Sequence, residues 1–153
     1  MPAHDFLYVD ERASTRHAIV HNALVAYRSP DDGSSVVIKR VVGVPGDTLR
    51  MRNDSLIRND RIIEEPFVTI SLTLGDSLNE MGNWGPVTVS DDSMFVLGDN
   101  RHASKDSRHV GLIPIANVLG KPRLIYYSYD PEAEARLPFL TAVRWKRIGM
   151  MPQ

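Results

Sequence analysis

The sequence predicts a mainly β fold of antiparallel sheets joined by hairpins, with at most one short helix. Three observations predict it. Apolar stretches are short and are interrupted at close intervals by Gly, Pro, Asn and Asp. No stretch keeps the 3.6-residue apolar spacing of an amphipathic helix for long. Asn-Asp pairs, which tolerate left-handed backbone conformations, separate neighbouring apolar runs as two-residue hairpin turns do.

The first strands are predicted from short runs rich in apolar and β-branched residues. These runs are residues 6–9, 23–27 and 36–39. The third run follows Asp31-Asp32-Gly33-Ser34, a composition typical of a tight turn. Three strands are therefore expected before residue 40.

The next region predicts a meander of short strands. Residues 49–52 and 55–58 flank Asn53-Asp54, which suits a two-residue turn. The pair Asn59-Asp60 repeats the pattern before a third run at residues 61–63. Each of these strands is therefore expected to pair with the next one along the chain.

The last third of the chain predicts further strands and one helix. Residues 94–97, 124–127 and 143–148 have strand composition. The one helix expected is a short one at residues 115–119, directly after Pro114.

The chain as a whole has the size of one domain. Its 153 residues, 42% of them hydrophobic, suffice for a single core, so we expect one domain over residues 1–153. The segment 69–93 is polar and rich in turn formers, and we expect it to be an excursion or insertion instead of core.

Composition excludes several classes of function. The net charge is −1 and the basic residues are scattered, so nucleic acid is not an expected partner. The absence of Cys excludes disulfides and thiol catalysis. No run approaches the roughly 18 apolar residues of a membrane span, so this chain alone is expected to be soluble. The five His residues lack metal-site spacing, and neither a metal nor a cofactor is predicted.

Lys39 is the first candidate for a chemical role. A lysine on a strand is ordinarily exposed to solvent. Here its neighbours are apolar, and burial among them would disfavour the ammonium form and lower the pKa of Lys39. A neutral amine is what a serine nucleophile needs as a general base. The apolar neighbours are Val36, Val37, Ile38, Val41, Val42 and Val44.

The second candidate is the stretch 98–108, Gly-Asp-Asn-Arg-His-Ala-Ser-Lys-Asp-Ser-Arg. Such a run of charges is usually a solvated surface segment. Glycines and hydroxyl residues alternate with the charges here, which indicates an ordered, hydrogen-bonded loop. Both interpretations are open on the residues alone.

Together, this stretch and Lys39-Arg40-Val41-Val42-Gly43-Val44-Pro45-Gly46-Asp47 resemble two sequence boxes of the type I signal peptidases. These are membrane-associated Ser-Lys proteases that remove signal peptides from exported proteins. The resemblance runs from about residue 5 to residue 148, and it implies the signal-peptidase β fold.

The resemblance implies a role for individual residues. Lys39 would be the catalytic base, Ser104 the hydroxyl that hydrogen-bonds its amine, and Asp106 with Arg108 an ion pair that holds the loop. The signal peptide would lie extended beside the strand that ends at Lys39. The other residues it implicates are Asp99, Asn100 and Arg101 in the supporting loop, and Val36, Val37 and Ile38 in substrate binding.

The resemblance also implies a nucleophile that this sequence does not contain. In the family, the nucleophilic serine lies in a Ser-Met-x-Pro-Thr segment just before the Gly-Asp that aligns with His4-Asp5. We therefore expect a chain truncated before its serine and its membrane span, and inactive as it stands. Ser93-Met94 repeats the dipeptide without the Pro-Thr, so Ser93 is not expected to be the nucleophile. The loop departs from the common family pattern at His102-Ala103 and at Val110.

The favoured function is therefore signal-peptide removal on the extracytoplasmic face of a membrane. The expected partners are signal peptides of exported preproteins, and the membrane surface through the missing N-terminal segment. A non-catalytic module that binds extended peptides is the alternative. A self-cleaving repressor of the Ser-Lys type is disfavoured, since that family has no Gly-Asp-Asn-Arg box.

Overall fold

The computed structural model describes residues 5–10, 19–69, 82–128 and 143–151. Within these ranges the chain forms antiparallel strands in two sheets, which confirms the mainly β prediction. The strands are β1 (Asp5–Asp10), β2 (Leu24–Arg28), β3 (Val36–Gly43), β4 (Thr48–Arg52), β5 (Ser55–Arg58), β6 (Arg61–Ile62), β7 (Trp84–Thr88), β8 (Ser93–Leu97), β9 (Ile113–Pro114) and β10 (Val118–Ser128). The larger sheet has the strand order β1-β10-β2-β3-β8-β9, and the four-stranded sheet has the order β6-β5-β4-β7.

The predicted meander is present, and its turns have the expected backbone. β4 pairs with β5, and β5 pairs with β6, in consecutive antiparallel order. Positive φ angles of 47° and 60° occur at Asn53 and Asp54, and of 51° and 62° at Asn59 and Asp60. Asn and Asp adopt this region more readily than other non-glycine residues, which is why the sequence signal was reliable here.

β3 has apolar packing on both of its faces. Val41 belongs to a buried cluster with Val25, whereas Val42 belongs to a second cluster with Phe95. Successive side chains of a strand point to opposite faces, so the two valines reach different cores. Lys39, two residues before Val41, therefore projects from the face of the first cluster.

The predicted helix is wrong in position. Residues 115–117 form only a 3-10 turn, and β10 begins at Val118 opposite Tyr27 of β2. Within the described residues, an α-helix instead occurs in the 98–108 loop and its continuation, α1 (Ser107–Val110). Asp106 caps its N-terminus by accepting the Arg108 N–H, and Gly111 follows its end at a φ of 79°. Both are recognisable helix-end signals that the sequence analysis did not use.

The segment 69–93 contributes to the sheets. Its residues 70–81 lie outside the described residues, but Trp84–Thr88 is β7, which pairs with β4. Trp84 stacks on Phe95 with ring centroids 5.0 Å apart, and Val89 is buried in the second cluster. The described end of this segment is therefore core.

The strand predicted at residues 143–148 is also wrong. Trp145–Arg147 is a 3-10 turn; before it the Arg144 N–H donates to the Ser128 carbonyl of β10 at 2.8 Å, and after it the chain meets β10 again at Gly149 and Met150. The Gly149 N–H donates to the Ile125 carbonyl at 2.8 Å, and the Ile125 N–H donates to the Met150 carbonyl at 3.0 Å. Gly149 and Met150 thus lie opposite the single residue Ile125, as in a β-bulge. Gly149 supplies the positive φ that this geometry favours.

Candidate active site

Lys39 lies on the apolar face of the larger sheet. In the β2–β3 pairing it is opposite Val25, and Val37 and Val41 flank it on the same face. Its side chain is half-buried. Of the six apolar neighbours expected from the sequence, the alternation of the strand therefore places only Val37 and Val41 beside the amine on β3.

The Lys39 amine donates a hydrogen bond to the Ser104 hydroxyl, with Nζ and Oγ 2.7 Å apart. The two residues are 65 positions apart in the sequence. They meet because β8 pairs with β3 up to Leu97, opposite Arg40, and the chain then turns back as the 98–108 loop. The structure thus brings together the pair that the resemblance implies.

Gly98 makes this contact possible. A Cβ at position 98 would collide with the Ser104 side chain and would lie 3.4 Å from Lys39 Nζ. The requirement is for space, because the φ of Gly98 is outside the left-handed region. Gly98 therefore lies directly under the hydrogen bond between the amine and the hydroxyl, where a side chain would not fit.

The surroundings lower the pKa of Lys39 from its ordinary value of 10.5. Burial is the largest cause, because it disfavours the charged ammonium. The carboxylates of Asp106 and Asp99 oppose this shift, whereas the Arg108 guanidinium adds to it. The net direction favours a neutral amine, the form that can accept a proton.

Asp106 and Arg108 form a buried ion pair under the loop. Their side chains are 0% and 5% exposed, and two guanidinium nitrogens of Arg108, Nε and Nη2, each donate to the carboxylate at 2.8 Å. Asp106 also accepts the Gly98 N–H at 3.0 Å. Burial alone would raise the pKa of Asp106, but the hydrogen bonds and charge of Arg108 and the Gly98 N–H outweigh it, and the pKa lies below 3.8. The solvated-surface interpretation of this charge pair is therefore excluded.

Asp99 is paired with Arg40, a residue that the sequence analysis did not single out. Arg40 donates Nε and Nη2 to the two carboxylate oxygens of Asp99 at 2.8 and 2.7 Å, and its guanidinium lies 3.9 Å from the centre of the Phe67 ring. Because residues alternate along β3, Arg40 projects from the face opposite Lys39. The two consecutive basic side chains thus have different hydrogen-bond partners, Ser104 for Lys39 and Asp99 for Arg40.

Arg101 and Asn100 complete the loop. Arg101 forms a bidentate pair with Glu65, and its Nε donates to the Gly98 carbonyl at 3.1 Å. Asn100 forms an isolated parallel bridge with Thr69, and its side-chain oxygen is buried without a protein partner. Glu65 had no signal in the sequence, since a single Glu in a polar stretch is ordinarily exposed.

Beside the amine lies a small cavity and an open strand edge. The cavity has a volume of about 50 Å³. β8 pairs with β3 only from Arg40 to Gly43, so within the described residues no strand pairs with this edge of β3 at Val36, Val37 or Ile38. Val36 is exposed, Val37 packs against the first core cluster, and Ile38 lines the cavity. The cavity is lined by Leu24, Ile38, Lys39, Arg40, Gly98 and Asp99.

Ser93 lies far from Lys39. It begins β8 opposite Pro114, five residues before Gly98, which is roughly 16 Å along a strand that rises about 3.3 Å per residue. In the described ranges, no cluster of three or more His, Asp or Glu side chains is placed to hold a metal ion. The same ranges contain no helix long and apolar enough to span a bilayer.

A first prediction concerns Gly98. We expect Gly98→Ala to break the Lys39–Ser104 hydrogen bond and to destabilise the fold by about 1–3 kcal/mol, the usual cost of overpacking. The double variant Gly98→Ala with Ser104→Gly removes the collision, so it should regain most of that stability without regaining the hydrogen bond. Urea denaturation and lysine side-chain NMR measure the two effects. A single variant as stable as the parent, with the hydrogen bond intact, would contradict this account of Gly98.

Two antiparallel sheets, with a half-buried lysine amine held between the larger sheet and the 98–108 loop, define the class of protein, a β protein whose lysine is suited to proton transfer. The family model for "Signal peptidase, peptidase S26" matches residues 1–127. The chain belongs to this signal peptidase family.

Individual relatives agree. The chain is 31% identical over 128 residues to signal peptidase I S of Bacillus subtilis strain 168, which covers 75% of this chain and 70% of that protein. It is 35% identical over 96 residues to a signal peptidase I of Bacillus amyloliquefaciens, and that alignment covers 61% of this chain. The chain spans about half of this relative's length, 52%. A crystal structure of signal peptidase I from Enterococcus faecalis V583 superimposes with a TM-score of 0.54 and 31% identity, covering 67% of this chain and 94% of that one.

Proposed function

We propose that this chain is the catalytic domain of a type I signal peptidase, in which Lys39 is the general base of a Ser-Lys dyad. The observation that carries the proposal is the half-buried Lys39 amine, hydrogen-bonded to Ser104 with its pKa lowered. A lysine is a base only when neutral, and the Ser104 hydroxyl can accept from the amine without adding charge.

The nucleophile of the proposed dyad is a serine outside this sequence, in a Ser-Met-x-Pro-Thr segment joined before His4-Asp5. Neutral Lys39 removes the proton of that serine as the serine attacks the carbonyl carbon of the cleaved bond. The resulting ammonium then returns a proton to the leaving amine, and Lys39 activates the water that hydrolyses the acyl-enzyme. The cavity of about 50 Å³ beside the amine has room for such a water.

The open edge of β3 is the proposed site for the substrate. The N–H and C=O groups of Val41 bond to Ala23 and Asn22, on the β2 side. Because these groups alternate along an antiparallel strand, those of Ile38 and Val36 face the open edge. An extended signal peptide can add there as a further strand, with its small residues beside the cavity. The proposed location is the extracytoplasmic face of a membrane, held by the upstream segment.

The test is to supply the proposed nucleophile. The chain should leave a peptide with a small-x-small cleavage site uncut, whereas the chain extended in frame by a Ser-Met-x-Pro-Thr segment, in detergent or lipid, should cut it. The matched control is the same extension with Ala in place of the added Ser. Cleavage by the unextended chain that stops with Ser93→Ala would refute the assignment.

A non-catalytic peptide-binding module is a second candidate, because the open edge of β3 needs no nucleophile to bind a strand. This module would bind the same peptide with measurable affinity but would not cut it even after extension. Methylation of alternate peptide nitrogens should weaken binding in both cases, since it removes the N–H groups that pair with the edge.

A further inference from the structure

Residues 63–69, here called the strap, connect the four-stranded sheet to the 98–108 loop. At one end, Ile63 packs in the second core cluster. At the other, the Thr69 N–H donates to the Asp99 carbonyl at 2.8 Å. Between them, Phe67 lies against the Arg40 guanidinium. The strap therefore touches the loop through its backbone and touches β3 through the Phe67 side chain.

Glu65 adds a side-chain contact between the strap and Arg101 of the loop. Its two carboxylate oxygens accept from Nη1 and Nη2 of Arg101 at 2.9 and 2.5 Å. The side chains of Glu65 and Arg101 are 8% and 6% exposed, so the ion pair has little contact with solvent. A guanidinium held at both terminal nitrogens has a fixed orientation, because the bidentate geometry allows little rotation.

Arg101, whose orientation is fixed by Glu65, in turn holds the backbone of Gly98. Its Nε–H is directed at the Gly98 carbonyl, while Asp106 holds the Gly98 N–H. Its own carbonyl accepts from Nη2 of Arg108 at 2.7 Å, which joins it to the buried ion pair. Both backbone polar groups of the residue under the amine are thus fixed by charged side chains, and one of the two depends on Glu65.

We propose that Glu65 is a positioning residue for Lys39: acting through Arg101, it holds the Gly98 backbone so that the amine and the Ser104 hydroxyl stay packed together and shielded from water. Glu65 is on the strap, 33 residues or more from every residue of the 98–108 loop. It couples the four-stranded sheet to the geometry of the base.

The sign of a pKa change distinguishes positioning from a simple charge effect. The charges that act on Lys39 are those of Asp106, Arg108 and Asp99. If Glu65 acted only as a distant negative charge, its neutralisation would lower the pKa of Lys39, since an ammonium would lose an attraction. If it acts by positioning, neutralisation loosens Gly98 and admits water, which raises the pKa of Lys39 toward its ordinary value.

The experiment is NMR titration of the chain labelled at lysine Cε and Nζ. The sequence contains only four lysines, so Lys39→Met assigns the Lys39 signal by difference from Lys105, Lys121 and Lys146. We expect Glu65→Gln to move the titration of Lys39 to higher pH and to leave the other three unchanged. Glu64→Gln is the matched control, because Glu64 is the exposed neighbour on the same strap, and it should change nothing. An unchanged or lowered Lys39 pKa in Glu65→Gln would overturn the proposal.

A second variant covers the case in which Glu65→Gln fails to fold because it leaves the Arg101 charge buried. The double variant Glu65→Gln with Arg101→Met removes both charges, a change that is often tolerated when a buried pair is replaced together. It still removes the donor to the Gly98 carbonyl, so the Lys39 pKa should rise as before. A folded double variant with the parent's Lys39 pKa would overturn the proposal equally.

The link to catalysis rests on the proposed function and has its own readout. In the chain extended by Ser-Met-x-Pro-Thr, Glu65→Gln should lower kcat near neutral pH on the order of tenfold to a hundredfold, with little change in KM, as expected for a misplaced catalytic group. The rising limb of the pH–rate profile should move to higher pH in parallel with the NMR titration. If the NMR shift occurs and the extended parent leaves the peptide uncut, positioning stands and the dyad assignment fails.

Discussion

Asp106→Ala is expected to lower the free energy of unfolding by about 3–5 kcal/mol, the cost of removing one partner of a buried ion pair. Asp106 is fully buried, and Arg108, at 5% exposed, would be left without its counter-charge. The substitution also removes the acceptor of the Gly98 N–H and the cap of α1. Urea denaturation followed by circular dichroism measures the loss.

Asp31→Ala is the matched control for this prediction. Asp31 forms an ion pair with Lys105 of the same loop, 2.8 Å between Nζ and Oδ2, but the two side chains are 43% and 68% exposed. Its loss should cost less than about 1 kcal/mol, the usual range for exposed pairs. Equal losses for the two substitutions would show that burial does not decide the strength of the Asp106 pair.

The low pKa of Asp106 also has a consequence for stability in acid. A carboxyl whose pKa is depressed by folding contributes stability above its unfolded pKa, and that contribution is lost as pH falls through the folded value. The window therefore lies below pH 3.8, the ordinary value. Asp106→Asn should have a shallower loss of stability in that window than the parent. Some loss should persist, because His21, Val44 and Asn59 hold the pKa of Asp47 below 3.8 as well, against the effect of its burial.

The parts of the fold that the sequence predicted are those set by local chemistry. Asn53-Asp54 and Asn59-Asp60 fixed the meander, because positive φ is a property of the residue as much as of its context. The composition of residues 143–148 resembled a strand, but residues 145–147 form a 3-10 turn between two hydrogen bonds to β10: the Arg144 N–H donates to the Ser128 carbonyl, and the Gly149 N–H donates to the Ile125 carbonyl. Partners this distant in sequence leave no periodic signal.

The residues of the candidate site likewise divide into those that local motifs predicted and those that depend on distant partners. The meeting of Lys39 with Ser104 and the pairing of Asp106 with Arg108 agree with the resemblance, which was carried by two contiguous motifs. Glu65 was missed, because its role depends on Arg101, 36 residues away. Arg40 could have been found, since alternation on a strand forces two consecutive basic residues onto opposite faces, and one of them then needs a buried partner.

Lys39→Met in the extended chain is expected to reduce cleavage by at least about 100-fold to 10,000-fold, the range over which a general base contributes. Lys39→Arg should be as inactive, because a guanidinium stays protonated at any workable pH. In the parent, cleavage should rise with pH as the amine loses its proton. Because the pKa of Lys39 lies below 10.5, that rise should be complete at a lower pH than an exposed lysine would require.

Stability separates a catalytic Lys39 from a structural one. At any pH where the amine is charged in the unfolded chain, burial of Lys39 lowers the free energy of unfolding. The Met side chain is apolar and similarly long, so it should be buried without that loss of stability. Lys39→Met should therefore be at least as stable as the parent at neutral pH, although it cuts nothing. A variant that loses activity and stability together would indicate that Lys39 maintains the fold, and a variant that keeps cutting would exclude it as the base.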